Sequence, residues 1–224
     1  MAIRVFLIDD HPVMREGYAR LVARAPGMEI CGEASSAEDA FDAVVDQNPD
    51  VLLVDLSLPG ENGIDFIRRI AALGMTGALL VVSAHDEAIY AERALSAGAQ
   101  GYVMKNEPSS CVLDAIHRVH SGGIYLSKTL HERLLLGRIA RTSTDSPRAN
   151  VLTDREIEVF EHFGRGQATV EIAGQLGLSP KTVECHRARI RKKLGIKTAS
   201  EFVQQAVLSV ERSLATARGA AAAA

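Results

Sequence analysis

The chain has 224 residues, long for one small domain and sufficient for two, and its hydrophobic fraction of 47% is enough to fill two cores. The net charge of −3, taken whole, carries no signal for nucleic acid. No apolar run reaches the ~18–20 residues of a membrane span, and Cys31, Cys111 and Cys185 lie too far apart for a disulfide framework or a zinc site.

In chain order, the N-terminus lacks a basic leader and a cleavage site and runs straight into two aspartates, so it reads as a strand of a cytoplasmic protein. Five short apolar runs follow: Val5–Ile8, Met28–Cys31, Val51–Val54, Ala78–Val82 and Tyr102–Met104. Three of them are nearly continuous hydrophobics, as in parallel strands buried on both faces. Helical patterns lie between and after them: Val13–Ala25, Ala37–Gln47, Ile64–Leu73, Glu87–Ala97 and Ser109–His120. This alternation predicts a doubly wound α/β domain with a five-stranded parallel sheet. Pro49, Pro59-Gly60, Asn62-Gly63, Gly98 and Pro108 mark the breaks, and the domain is expected to span residues 1–122.

Residues 123–150 are expected to form a linker, with a short basic helix at Leu126–Ile139 and an irregular stretch after it. Thr153-Asp-Arg-Glu156 is a capping box that opens a helix ended by Gly164 and Gly166. A short helix over Val170–Leu176 closes at Gly177. Ser179-Pro180 starts a third helix, stopped at Gly195, and a fourth runs from about Ala199 to Val210. The second and third helices, joined by Gly177-Leu178-Ser179, make a helix-turn-helix. The predicted second domain is therefore all-α, four-helical and spans 151–212, with a tail over 213–224.

Charge is partitioned in the same way. Residues 1–122 carry nine basic and 18 acidic side chains, whereas Lys181 to Lys197 holds seven basic residues and one acid, Glu184. Two surfaces for different partners are implied.

The strand ends carry the chemistry. Asp9-Asp10 ends the first strand, Asp55 the third, Ser83 the fourth and Lys105 the fifth. Ligands of open parallel sheets bind outside these ends, so three carboxylates, a hydroxyl and an ammonium should share one cleft. The carboxylates repel one another unless a hard divalent cation intervenes. A site with few carboxylates and several retained waters suits Mg2+ better than Ca2+. With Lys105 neutralising a phosphoryl oxygen, Asp55 could act as a nucleophile and form an acyl phosphate.

The segments Val-Phe-Leu-Ile-Asp9-Asp10-His11, Leu-Leu-Val-Asp55-Leu-Ser-Leu-Pro59-Gly, Val-Val-Ser83-Ala and Gly-Tyr102-Val-Met-Lys105 resemble bacterial receiver domains. Residues 2–211 together resemble a two-component response regulator of the NarL/FixJ class. The resemblance implies a flavodoxin-like sheet of order 2-1-3-4-5 and Asp55 as phosphoacceptor for a sensor histidine kinase. It further implies Mg2+ held directly by Asp10, Asp55 and the Ser57 carbonyl, with Asp9 acting through water. Ser83 and Tyr102 resemble the hydroxyl–aromatic switch pair. One departure is Asn106, where many receivers carry Pro after the lysine. Ser57 and His85 stand where receivers tune acyl-phosphate hydrolysis, and replacing His85 is expected to change dephosphorylation.

On a helical wheel of the third helix of the second domain, Val183, Ile190 and Leu194 cluster on one side with His186 beside them. Lys181, Glu184, Cys185, Ala188, Arg189 and Lys192 face the other way, flanked by Thr182, Arg187, Arg191 and Lys193. The helix resembles a LuxR-type recognition helix. That places Glu184, Cys185 and Ala188 at base edges of double-stranded DNA, and Lys181, Thr182, Arg189 and Lys192 near phosphates. Glu184 either accepts from cytosine or orients an arginine. Cys185 is a small contact or a thiol sensor. The last helix, with Phe202, Val203, Ala206 and Val207, resembles the family's dimerisation helix, so a homodimer is expected when phosphorylated or DNA-bound.

The function these features predict is phosphorylation-dependent control of transcription by a non-enzymatic phosphoacceptor, through domain release, dimerisation or both. Two alternatives stand beside it: a DNA-binding regulator independent of phosphorylation, and a Mg2+-dependent phosphotransferase.

Overall fold

The computed structural model describes residues 1–128, 130–132 and 151–221, with residues 212–221 by backbone alone. It divides into two units, Met1–His131 and Glu132–Ala224.

In the first unit, β1 (Ile3–Ile8), β2 (Met28–Ala34), β3 (Val51–Val54), β4 (Ala78–Ser83) and β5 (Gly101–Met104) form one sheet of order β2-β1-β3-β4-β5. Every neighbouring pair is parallel. The crossovers are α1 (Pro12–Arg24), α2 (Ala37–Gln47), α3 (Gly63–Ala72) and α4 (Glu87–Ala97), and α5 (Ser109–His120) follows β5. Each residue of β3 and β4 is buried, which is why these strands lack any polar alternation. Val5, Leu7, Leu53, Leu80, Val82 and Val103 pack with Val112, Ala115, Ile116 and Val119 of α5. α3 buries Ile64, Phe66, Ile67 and Ile70.

Local signals start the helices. The Ser36 hydroxyl accepts from the Asp39 amide at 3.1 Å, Asn62 Oδ1 from Ile64 at 2.9 Å, and Asp86 Oδ1 from Ala88 at 2.8 Å. α1 differs, because it opens on Pro12 with no side-chain cap.

The expected strand order is the observed one. β2, however, extends three residues beyond the expected Met28–Cys31. Its second half, Gly32-Glu33-Ala34, pairs with Phe6, Leu7 and Ile8 of β1. An edge strand open to solvent on one side carries polar residues that an apolar-run reading passes over. The chain after α5 also returns to the sheet. The Tyr102 amide donates to the Tyr125 carbonyl and the Tyr125 amide to the Gln100 carbonyl, both at 3.0 Å. The Ser127 hydroxyl donates to Glu87 Oε1 at 2.6 Å, and Leu130 is buried.

The second unit contains α6 (Asp154–Gly164), α7 (Thr169–Gln175), α8 (Pro180–Leu194) and α9 (Ala199–Ala221). The capping box at α6 is complete: Thr153 Oγ1 accepts from the Glu156 amide, and Glu156 Oε2 accepts from the Thr153 amide at 2.8 Å. Gly177, between α7 and α8, has φ of +63°, a left-handed backbone that glycine adopts without a Cβ clash. The core joins Ile172, Ala173, Leu176, Val183 and Ile190 to Phe160, Phe163 and Phe202. The ring of Phe202 meets Phe160 and Phe163 edge-on, with centroids 5.3 Å apart in both cases. α9 continues past the expected end at Val210, to Ala221. Most of the expected basic helix at Leu126–Ile139, and all of the irregular stretch after it, lie outside the described residues.

Candidate functional site

Two features of the sequence build a pocket at the carboxyl edge of the sheet. β1 and β3 are adjacent and in register, Ile8 opposite Val54, so the residues that follow them, Asp9 and Asp55, emerge side by side. The loop after Asp55 is held close by Gly63 at the start of α3. A Cβ there would lie 2.5 Å from the Asp55 carbonyl oxygen, and the Gly63 amide donates to the Leu56 carbonyl at 3.0 Å.

Asp9 and Asp55 are buried, 5% and 2% exposed. Lys105 at the end of β5 reaches both, with Nζ 2.7 Å from Asp9 Oδ2 and 2.7 Å from Asp55 Oδ2. Burial pulls the Lys105 ammonium down, but Asp55 and Asp9 outweigh it and hold the group charged, above its ordinary value. Asp9 Oδ1 accepts from the His11 amide at 2.8 Å. Asp55 Oδ1 is buried and has no hydrogen-bond partner among the described residues. Asp10 lies beside these groups, its Oδ1 2.6 Å from His11 Nδ1. Burial pushes the Asp10 carboxyl up, and Asp55 and Asp9 add to this against the opposing pull of His11 and Lys105.

One ligand atom from each of Asp9, Asp10, His11 and Asp55 lies within 4.8 Å of all the others. A buried carboxylate oxygen without a donor, facing two more carboxylates, has the charge and the oxygen chemistry that a hard cation satisfies. His11 is the member of this group that the sequence reading did not count as a ligand candidate. Its only signal was adjacency to the two aspartates.

Ser57, Ser83 and Tyr102 converge on a different residue, His85. The Ser57 hydroxyl is 2.9 Å from His85 Nε2, Ser83 Oγ accepts from the His85 amide at 3.2 Å, and the Tyr102 hydroxyl donates to the His85 carbonyl at 2.8 Å. The His85 ring also lies 4.5 Å from that of Tyr90. The Tyr102 ring is fully buried. His85 is thus the hub of the polar groups around the pocket.

In the second unit, Lys181, Glu184, Cys185, Ala188, Arg189 and Lys192 are exposed along α8 and Thr182 is half-buried, while Val183 and Ile190 are fully buried. Thr182 takes part in the α8 cap, its amide donating to Ser179 Oγ at 3.1 Å. Glu184 accepts from the Thr169 hydroxyl at 2.7 Å and lies 3.5 Å from Arg187 Nη1.

Two features of the second unit refine the expectations. Arg187, Arg191 and Lys193 were placed on the flanks of the outward face of this helix. The Arg187 guanidinium instead lies over the rings of Phe163 and Phe202, 5.1 and 5.2 Å from their centroids. Arg191 donates to the Lys197 carbonyl at 2.5 Å, and Lys193 pairs with the buried Glu156 at 2.6 Å. The second concerns the apolar face of α9. Phe202 and Ala206 are fully buried within the domain, whereas Val203 is 44% exposed and Val207 half-buried.

Residues 5–117 match the family described as response regulator receiver domain, and residues 150–206 match the bacterial regulatory proteins of the luxR family. Response regulator UvrY of Escherichia coli K12 is 35% identical over 205 residues, covering 92% of this chain and 94% of UvrY. Transcriptional regulatory protein UhpA of Salmonella typhimurium LT2 is 35% identical over 203 residues, covering 91% and 97%. Among solved structures, a LuxR-family two-component response regulator from Aurantimonas sp. SI85-9A1 aligns with a TM-score of 0.58 and 33% identity, covering 62% of this chain and 99% of that one.

Proposed function

The chain belongs to the response regulators that join a receiver to a LuxR-type DNA-binding domain, which are phosphorylation-dependent transcription regulators, and from that premise we propose that Asp55 accepts the phosphoryl group and α8 reads the DNA. The observation that carries this reading is the state of Asp55. It is a buried carboxylate at a strand end, with one oxygen on the Lys105 ammonium and the other without a partner among the described residues, close to Asp9 and Asp10.

A carboxylate oxygen of Asp55 attacks the phosphorus of a phosphohistidine on a sensor kinase. The new P–O bond forms as the P–N bond breaks, and the imidazole leaves with the bonding pair and takes a proton from solvent. Lys105 neutralises charge on the transferred group. Asp10, Asp55 and the Ser57 carbonyl would hold Mg2+ directly, with Asp9 through water. When bound, the ion supplies positive charge to the phosphoryl oxygens. Asp55 is the acceptor of the group and turns over no separate substrate. Loss of the group by hydrolysis is its self-dephosphorylation.

Phosphorylation adds roughly one to two negative charges and new acceptor oxygens. Ser83 is the hydroxyl that turns to them. It now holds the His85 amide, and Tyr102 holds the His85 carbonyl. A move by Ser83 therefore alters the loop that opens α4, a local event able to bias a two-state element. In the second unit, Lys181, Thr182, Arg189 and Lys192 contact phosphates, and Glu184, Cys185 and Ala188 face base edges. Val203 and Val207 give α9 an apolar contribution to a homodimer.

Incubation with acetyl phosphate and Mg2+, followed by intact-mass measurement, tests the acceptor. One phosphoryl group should add to the wild-type chain and none to Asp55→Asn. Equal labelling of both would refute Asp55.

A further inference from the structure

The first turn of α1 goes against the helix dipole. It carries no acid, and its charged residue is Arg15, a cation near the end where backbone N–H groups already make the potential positive. Such local conflicts are tolerated where the side chain serves another purpose.

Arg15 Nη1 donates to the backbone carbonyl of Asp9 at 2.6 Å. Its Nε lies 3.4 Å from Glu33 Oε2 on the edge strand β2, and the side chain is only 21% exposed. The Arg15 amide donates to the His11 carbonyl at 3.0 Å. One guanidinium therefore ties the turn after β1 to α1 and β2.

The other tethers of this turn act elsewhere. The Asp9 amide donates to Ala34 at 3.2 Å, and the Asp9 carboxylate is held by the His11 amide and Lys105. The Asp9 carbonyl belongs to the planar peptide whose N–H is that of Asp10. Fixing that oxygen fixes the peptide plane, and with it the position from which the Asp10 Cα and its side chain start. Asp10 has no contact with Lys105 of the kind that locks Asp9 and Asp55.

We propose that Arg15 is a positioning residue for the cation site. Through the Asp9 carbonyl it aims Asp10 at the ion, with Glu33 orienting the guanidinium from β2. The inference rests on the reading that Asp9, Asp10 and Asp55 hold Mg2+. Partners of this kind, one step behind a metal ligand, typically cost 10- to 100-fold in metal affinity when removed.

The test is calorimetric titration of the full chain with MgCl2, using wild type, Arg15→Met, Arg15→Lys, Glu33→Gln and Asp10→Asn. Methionine keeps the packing of the arginine stem and removes its donors. Arg15→Met should weaken Mg2+ binding about 10-fold. Arg15→Lys, which keeps one donor for the Asp9 carbonyl, should recover most of the affinity, and Glu33→Gln should lose less than Arg15→Met. Labelling by acetyl phosphate should need correspondingly more Mg2+ in Arg15→Met and reach the wild-type rate at saturating Mg2+. Unchanged Mg2+ affinity in Arg15→Met would overturn the proposal, even alongside a lower melting temperature, because the role would then be structural. Equal Mg2+ binding by wild type and Asp10→Asn would instead show that the ion does not occupy this pocket. The pocket reading would then fall, and the Arg15 proposal with it.

Discussion

Replacing Asp10 by Asn should make the receiver more stable without Mg2+ while abolishing its response to Mg2+. Carboxylate atoms within 4.8 Å of one another repel by about 3–4 kcal/mol per pair at an effective dielectric near 20. Lys105 offsets this for Asp9 and Asp55, at 2.7 Å from each, but makes no such contact with Asp10. Asp10 instead has the largely exposed His11, Nδ1 2.6 Å from its Oδ1, and its burial together with the repulsion of Asp55 and Asp9 outweighs that partner. Its side chain is 31% exposed, so solvent screens the effect and the gain expected for Asp10→Asn is about 1–2 kcal/mol. Scanning calorimetry in EDTA at pH 7 should place the receiver transition of Asp10→Asn about 4–8 °C above wild type. Mg2+ should then raise the wild-type transition by binding linkage and leave Asp10→Asn unmoved. The sign with pH follows from the upward shift. The unfolded chain ionises Asp10 at about pH 3.9 and the folded pocket does so higher, so the penalty is complete above the folded value. It fades as pH falls toward 3.9, and the two proteins should converge there. A variant no more stable than wild type at pH 7, or a gap that persists below pH 4, would refute the electrostatic argument.

Other consequences are as direct. Thr153→Ala removes one half of the α6 capping box and should cost the second unit about 1 kcal/mol in denaturant titration. Glu156 is pushed up by burial, but Lys193 and the Thr153 amide outweigh this and hold it below its usual range. Stability from Glu156 is thus present above the ordinary glutamate value and lost as pH falls through the lowered one. Lys193→Met should flatten that acid limb in the unfolding profile of the second unit. On DNA, Lys192→Ala should reduce the slope of log affinity against log salt by roughly 0.9, the share of one phosphate. Arg187→Met should lower thermal stability and leave the slope unchanged, because that guanidinium is packed on Phe163 and Phe202. His85→Ala removes the partner of the Ser57 hydroxyl, and decay of the labelled chain followed by mass should then differ in rate from wild type.

Much of this was readable from residue order, for identifiable reasons. Buried parallel strands such as Val51–Val54 need continuous apolar residues, and their loops need Pro, Gly and Asn, so the sheet and the placement of Asp9, Asp55 and Lys105 at strand ends follow from pattern. The helix starts at Ser36, Asp86, Thr153 and Ser179 are equally local. What escaped depends on partners distant in sequence. A helical wheel separates Val183 and Ile190 from Arg189 and Lys192, but cannot show that Arg187 is drawn over two phenylalanines or that Lys193 meets Glu156, 37 residues away. Phe202 and Ala206 formed an apolar face with no visible cover until α6 packed against it. The return of Tyr125 to β5 and the contact of Ser127 with Glu87 have no periodicity to announce them. Arg15 showed only as a basic residue in a helix, because its acceptor is a backbone carbonyl.

The central claim is that charge on Asp55 controls the DNA-binding end of the chain. Duplexes selected by the phosphorylated protein should be titrated, at one fixed salt concentration, with wild type and Asp55→Asn, each before and after acetyl phosphate and Mg2+. Treatment should tighten binding by wild type and leave Asp55→Asn at the untreated affinity. The same affinity in all four titrations, or tightening that survives the loss of Asp55, would contradict the account.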